Sequence, residues 1–170
     1  MQAARRQEAE RNQVLPVDDD MRSRDRVAAQ AGALAGRPSH FTYWSPDTSV
    51  GSDSAPVLGS RSFTVTAHVK VPPKGGEGVL VASGSRFAGF SFYLEKGRPV
   101  ALYAFSHEPR DRFEIAGAVR VPPGEAELRC DFEYDGGGLQ KGGLLRIRVN
   151  GEEVASGRIG RTFLMPAGIG

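Results

Sequence analysis

Cysteine occurs once in the 170 residues, at Cys130, so the chain cannot close an intrachain disulfide and nothing in it is stapled for an oxidising compartment. Histidine is scarce, and His40, His68 and His107 stand too far apart for any pair to have metal-ligand spacing. A strong charge bias is missing too. Lysine plus arginine (22) barely exceed aspartate plus glutamate (20), and a net charge of +2 gives no reason to expect nucleic acid or an anionic membrane surface as a partner. The opening "MQAARRQEAERNQ" carries charge from its start and has no apolar run able to act as a signal segment or to cross a bilayer, so the chain as it stands is not expected to export itself.

What is present suits one modest globular domain: 39% of the residues are hydrophobic and 25% charged. Residues 1–40 read as a helical lead-in. Ala3 to Asn12 is a polar helix with almost no face to bury, Pro16 breaks it, and a second helical piece near Asp19 to Ala35 ends at Gly36-Arg37-Pro38. From Phe41 to about Pro56 the chain is aromatic and then rich in Ser, Asp and Pro, which predicts one short strand and an irregular segment.

From Arg61 onward the pattern is strand and turn. In "RSFTVTAHVKV", Phe63, Val65, Ala67, Val69 and Val71 alternate with polar residues, as one buried and one wet face require. Ala126, Leu128, Cys130, Phe132 and Tyr134 repeat the pattern. Between these runs, "GVLVASG", "FAGFSFYLEKG", "RPVALYAF" and "DRFEIAG" are short apolar strands set off by glycine turns. The expected fold for residues 41–170 is an all-β, two-layer antiparallel sandwich of jelly-roll or concanavalin-A-like kind, with the helical extension before it.

Chemistry-bearing residues are sparse. Cys130 sits on an alternating apolar face, where a thiol is buried and inert. Asp18-Asp19-Asp20 complements a helix N-terminus more readily than it binds a cation, and Arg110, Asp111 and Arg112 read as a solvated loop tip. No metal and no cofactor is expected. Phe41, Tyr43 and Trp44 form either a sugar-stacking platform or a segment packed on the sandwich or on a neighbouring domain.

The stretch "FEYDGGGLQKGGLLRIRVNGEEVASG" carries five glycines between two strands, but Lys141 is followed by Gly142-Gly143 and a strand, so the strand–loop–helix of a phosphate cradle is absent. The loop reads as slack between Asp135 and Leu144. Asn150-Gly151 is a two-residue hairpin signal that sets Val149 opposite Glu152, Arg148 opposite Glu153 and Ile147 opposite Val154. With Phe132 and Ile147 kept inward, Glu133 is expected opposite Arg146 and Asp131 opposite Arg148, a charge ladder on the outer face.

"GEGVLVASGSRFAGFSFYLEKGRPVALYAF" and "LRCDFEYDGGGLQKGGLLRIRVNGEEVASGRIGRT" resemble the C-terminal region of bacterial arylsulfatases of the alkaline-phosphatase-like sulfatase class, and "AERNQVLPVDDDMRSR" is similar to the segment joining that region to their catalytic domain. The strand-and-turn phrasing also resembles laminin-G and concanavalin-A-like sandwiches. The resemblance implies sulfate-ester hydrolysis by a catalytic domain lying before residue 1, through a C/S-x-P-x-R motif converted to formylglycine and a divalent cation. No such motif occurs in this chain. It also implies a few further residues after Arg161-Thr162 than the chain's end at Gly170 supplies. The expected role is a non-catalytic accessory region whose partner is a sulfatase catalytic domain or a second copy of the chain; the alternative is a free-standing carbohydrate-binding module.

Overall fold

The structure is a computed structural model that describes residues 39–44, 49–51, 54–85 and 88–163. These lie in one compact unit, Pro38–Gly170. Residues 1–38 of the expected helical lead-in, with the acidic triplet Asp18-Asp19-Asp20, fall outside the described residues.

Eight strands are described: β1 (Phe63–Val71), β2 (Gly78–Gly84), β3 (Gly89–Glu95), β4 (Arg98–Ala104), β5 (Arg112–Ala116), β6 (Gly124–Tyr134), β7 (Gly143–Val149) and β8 (Glu152–Ile159). They form two antiparallel four-stranded sheets in the orders β1-β6-β7-β8 and β2-β3-β4-β5, a two-layer β-sandwich. Each sheet is mostly a meander of sequential hairpins. The exception is β1, which pairs with β6 from Phe63↔Phe132 through Val71↔Gly124.

Local chemistry fixes the turns. Lys96-Gly97, between β3 and β4, has φ of 50° and 78°, and Asn150-Gly151, between β7 and β8, has 51° and 86°, the paired left-handed residues of a type I′ hairpin. Asn150 does more than turn the chain. Its Oδ1 accepts the Glu127 amide at 2.9 Å and its own amide donates to the Glu127 carbonyl at 2.8 Å, pinning the hairpin tip to β6.

The core lies between the sheets. Phe90, Phe92 and Tyr103 from one sheet meet Leu128, Cys130, Phe132, Leu145 and Ile147 from the other. Tyr103 stacks on Phe132 and Phe163, with ring centroids 5.9 and 4.9 Å away, and its hydroxyl donates to the Leu58 carbonyl at 3.2 Å, satisfying a polar group that would be costly to bury unpaired.

Three expectations need correction. The described residues of the 41–56 segment hold no strand; Val50 makes only an isolated bridge. What the segment and its continuation supply is packing, through Ala55, Val57 and Leu58, all buried. In the second hairpin Val149↔Glu152 and Arg148↔Glu153 pair as predicted, but Ile147 lies opposite Ala155, because Val154 is the extra residue of a bulge. The bulge sends Gly157 inward, where its missing side chain leaves room for Ile115: an added Cβ would lie 2.9 Å from Ile115 Cγ1. Between β6 and β7, Asp131 lies opposite Arg146 and Arg129 opposite Arg148, two residues from the expected register. Gly143 explains the choice. It sits across from Tyr134, and the Phe132 ring occupies the space that a side chain at 143 would need.

Candidate functional site

The outer face of β6, β7 and β8 carries the predicted charge ladder, assembled diagonally. Arg146 Nη1 bonds Glu133 Oε2 at 3.0 Å, and Arg148 Nη1 bonds Asp131 Oδ2, each across a two-residue offset. Arg148 also lies 3.7 Å from Glu153, so it stands between two carboxylates as the sequence leads one to expect. Asp131 is the hub. It accepts the Thr64 hydroxyl at 2.7 Å and Arg129 Nε at 2.9 Å in addition to Arg148. Burial alone raises its pKa, but the Thr64 and Arg129 hydrogen bonds and the two guanidinium charges win and hold the carboxyl below its ordinary value. Arginines and carboxylates on this face answer one another, so it offers no surplus of one charge to a ligand.

The glycine-rich connection is anchored, which corrects the slack reading. Gly136, Gly137 and Gly138 all have positive φ, and the Tyr134 hydroxyl closes the loop by donating to the Gly138 carbonyl at 2.5 Å and accepting the Lys141 amide at 2.9 Å. The Gln140 amide donates to Ser60 Oγ at 3.0 Å, and the buried Thr162 hydroxyl donates to the Lys141 carbonyl at 2.9 Å. Asp135 at the loop's start pairs with Arg158 at 2.5 Å. From the sequence, Tyr134 had only a place on the inward row of β6, and Ser60 and Thr162 had no part in the loop; the one available signal was a tyrosine immediately before Asp-Gly-Gly-Gly, a hydroxyl within reach of a loop that cannot hold its own shape.

Other singled-out residues are dispersed. His40 contacts Thr42, His68 is on the exposed face of β1, and His107 pairs with Glu108 at 3.2 Å. Cys130 is fully buried, and burial followed by the Asp131 charge pushes its thiol pKa up, away from reactivity. Among the described residues no three His, Cys, Asp or Glu side chains converge in a way that could hold a metal ion. Arg110 and Arg112 are exposed, as a solvated loop tip requires, but Asp111 turns in, accepts the Ser106 hydroxyl at 2.7 Å and lies 3.9 Å from Arg161, which rests over the Phe105 ring.

No family model and no curated protein matches this chain. Two surfaces therefore stand on their geometry. One is the aromatic segment, where Trp44 is 92% exposed and Tyr43 40% exposed, with Phe41 half-buried. Trp44 is the most exposed large hydrophobic side chain among the described residues. The other, unforeseen from the sequence, is an open groove of about 590 Å³ between β5 and β8, lined by Arg112, Glu114, Ser156 and Arg158 over the Ile115–Gly157 contact. Its signal was Gly157 and Gly160, two glycines near the end of β8, each making room for a side chain of β5.

Proposed function

We propose that this chain is the non-catalytic C-terminal accessory region of an arylsulfatase-type sulfuric ester hydrolase, and that its aromatic segment packs on the catalytic domain. The observation that carries the reading is Trp44, an indole 92% exposed beside a 40% exposed Tyr43, on a sandwich whose other described aromatic side chains are all buried or half-buried. The resemblance of "FEYDGGGLQKGG" and its flanking strands to such regions supports the same role, as does the lack of a C/S-x-P-x-R motif anywhere in the sequence.

Trp44 is the sole tryptophan, so its fluorescence reports this surface directly. The chain is titrated with a bacterial arylsulfatase catalytic domain from which its own C-terminal region has been removed. The expected result is a saturable blue shift as the indole leaves water, with no hydrolysis of 4-nitrophenyl sulfate by the chain alone in the presence of calcium. Turnover that survives repurification, or an indole emission indifferent to the catalytic domain, would overturn the reading.

A second reading is favoured by the same exposed rings, because an indole and a phenol side by side suit stacking on a sugar ring. Saturable binding to a glycan array that Trp44→Ala abolishes would select a carbohydrate-binding module instead.

A further inference from the structure

We propose that the free edge of β1 is a docking surface for a second copy of this chain, joining two β1 strands antiparallel about Ala67. The inference goes beyond the accessory role and rests on different residues.

An exposed strand edge offers a row of unpaired amides and carbonyls, and proteins blunt such edges with bulges, short strands, lysines and other charged side chains, prolines or covering elements. Three of the four outer strands are blunted in this way. β2 carries a register irregularity between Val79 and Val81, and β8 carries the Val154 bulge and Gly157. β5 is five residues long and lies against β8, with Ile115 in the space beside Gly157. Among the described residues β1 has none of these protections apart from Lys70 near its end. It runs nine residues in unbroken register with β6, holds no proline, and is the outer strand of its sheet among the described residues.

Its inner face is also incompletely covered. Phe63, Val65, Ala67 and Val69 are half-buried, whereas the β6 residues paired with them, Phe132, Cys130, Leu128 and Ala126, are buried. The sandwich thus leaves an apolar row along an open edge.

The occupant follows from the sequence of the strand, FTVTAHVKV, which is complementary to itself when reversed. Centred on Ala67, an antiparallel pair sets Phe63 against Val71, Val65 against Val69 and Ala67 against Ala67, one continuous apolar face. On the other face Thr64 meets Lys70 of the second copy and Thr66 meets His68. No two like charges oppose. Carried one strand further, the rows read Asp131, Thr64, then Lys70 and Glu125 of the second copy, so the lysine lies in a row between carboxylates of both copies. The product is an eight-stranded sheet with a two-fold axis between the two opposed Ala67 residues. One strand pair is a small contact against the area of a stable complex, so the dimer is expected to be concentration-dependent.

Sedimentation of the full chain over a concentration series is the test. The expected result is a reversible monomer–dimer equilibrium. Thr64→Lys places like charges opposite each other twice by symmetry while leaving a favourable Asp131 neighbour within the monomer, and it is expected to weaken dimerisation by about tenfold with the circular dichroism and melting temperature retained. Adding Lys70→Glu restores opposite charges across the axis, at the cost of a repulsion against Glu125 within each copy that is present in monomer and dimer alike, and is expected to restore the dimer, whereas Trp44→Ala leaves it unchanged. A chain monomeric at every concentration, a dimer indifferent to Thr64→Lys, a loss that T64K/K70E fails to recover, or a dimer abolished by Trp44→Ala would each overturn the proposal.

Discussion

Arg148 bonds Asp131 although the backbone sets Asp131 opposite Arg146 and leaves Arg148 opposite Arg129. Two arginines face each other across β6 and β7, a repulsive pairing taken alone. Asp131 relieves it by standing one step away on β6 and accepting from both. With the Thr64 hydroxyl as its third donor, this carboxylate links β1, β6 and β7 on a face that hydrophobic burial does not reach.

Replacing that carboxylate is expected to be costly. Asp131→Asn keeps the shape, removes the charge that Arg129 and Arg148 share, and is expected to lower stability by about 1–3 kcal/mol at neutral pH. The sign of the pH effect follows from the depressed pKa of the folded carboxyl. Its stabilisation is complete above the unfolded carboxylate value and is lost as pH falls through the folded one. Urea unfolding from neutral pH downward is expected to show a smaller acid-side loss in Asp131→Asn than in the wild type; parallel curves would contradict the assignment.

Tyr134→Phe tests the loop clasp. The ring keeps its packing beside Phe132, with centroids 6.4 Å apart, and only the two hydroxyl hydrogen bonds are lost. A stability loss of about 1–2 kcal/mol is expected. Hydrogen exchange is the sharper measurement, because the Lys141 amide loses its acceptor and is expected to exchange faster while the β6–β7 amides stay protected.

How far this arrangement was legible in the sequence depends on parity. The alternation in β1 and β6 dictates which residues turn inward, and Leu128, Cys130 and Phe132 are buried as it requires. A two-residue slide preserves every face and still lets long arginine side chains reach their carboxylates diagonally, so neither burial nor charge could choose the β6–β7 register. Phe132 chose it by filling the space over Gly143. The Val154 bulge was hidden for a related reason: it answers to Ile115, a residue of the other sheet, which no reading along β8 could bring into view. Trp44 was visible as an aromatic cluster with Phe41 and Tyr43, but only the coordinates distinguish an exposed indole from a packed one.

The Cys130 thiol is expected to stay silent in the native protein. Full burial raises its pKa and blocks access together, so a thiol reagent at mildly alkaline pH should label it only as fast as the sandwich opens. Labelling rates measured across a denaturant series should rise in step with global unfolding. Rapid stoichiometric modification without denaturant would show that the two sheets separate locally.

The glycines of the "DGGGLQKGG" loop separate into two physical kinds, and paired substitutions are expected to show it. At Gly136 the backbone has φ of 72° and an added Cβ meets nothing within 4 Å, so the residue is needed for conformation alone. Asparagine visits that region at modest cost, and Gly136→Asn is expected to lose about 1 kcal/mol. At Gly143 a Cβ would collide with the Glu133 carbonyl oxygen and the Phe132 ring. Neither can yield cheaply: the carbonyl belongs to the β6 backbone, and the ring is buried against Phe63 and Tyr103. Gly143→Ala is therefore expected to cost about 3 kcal/mol, as an overpacked core site does, although alanine is the smaller of the two side chains. Thermal melts that rank Gly136→Asn as the more damaging change would mean that the loop's left-handed turn, and not the seat of Phe132, sets the register of β6 on β7.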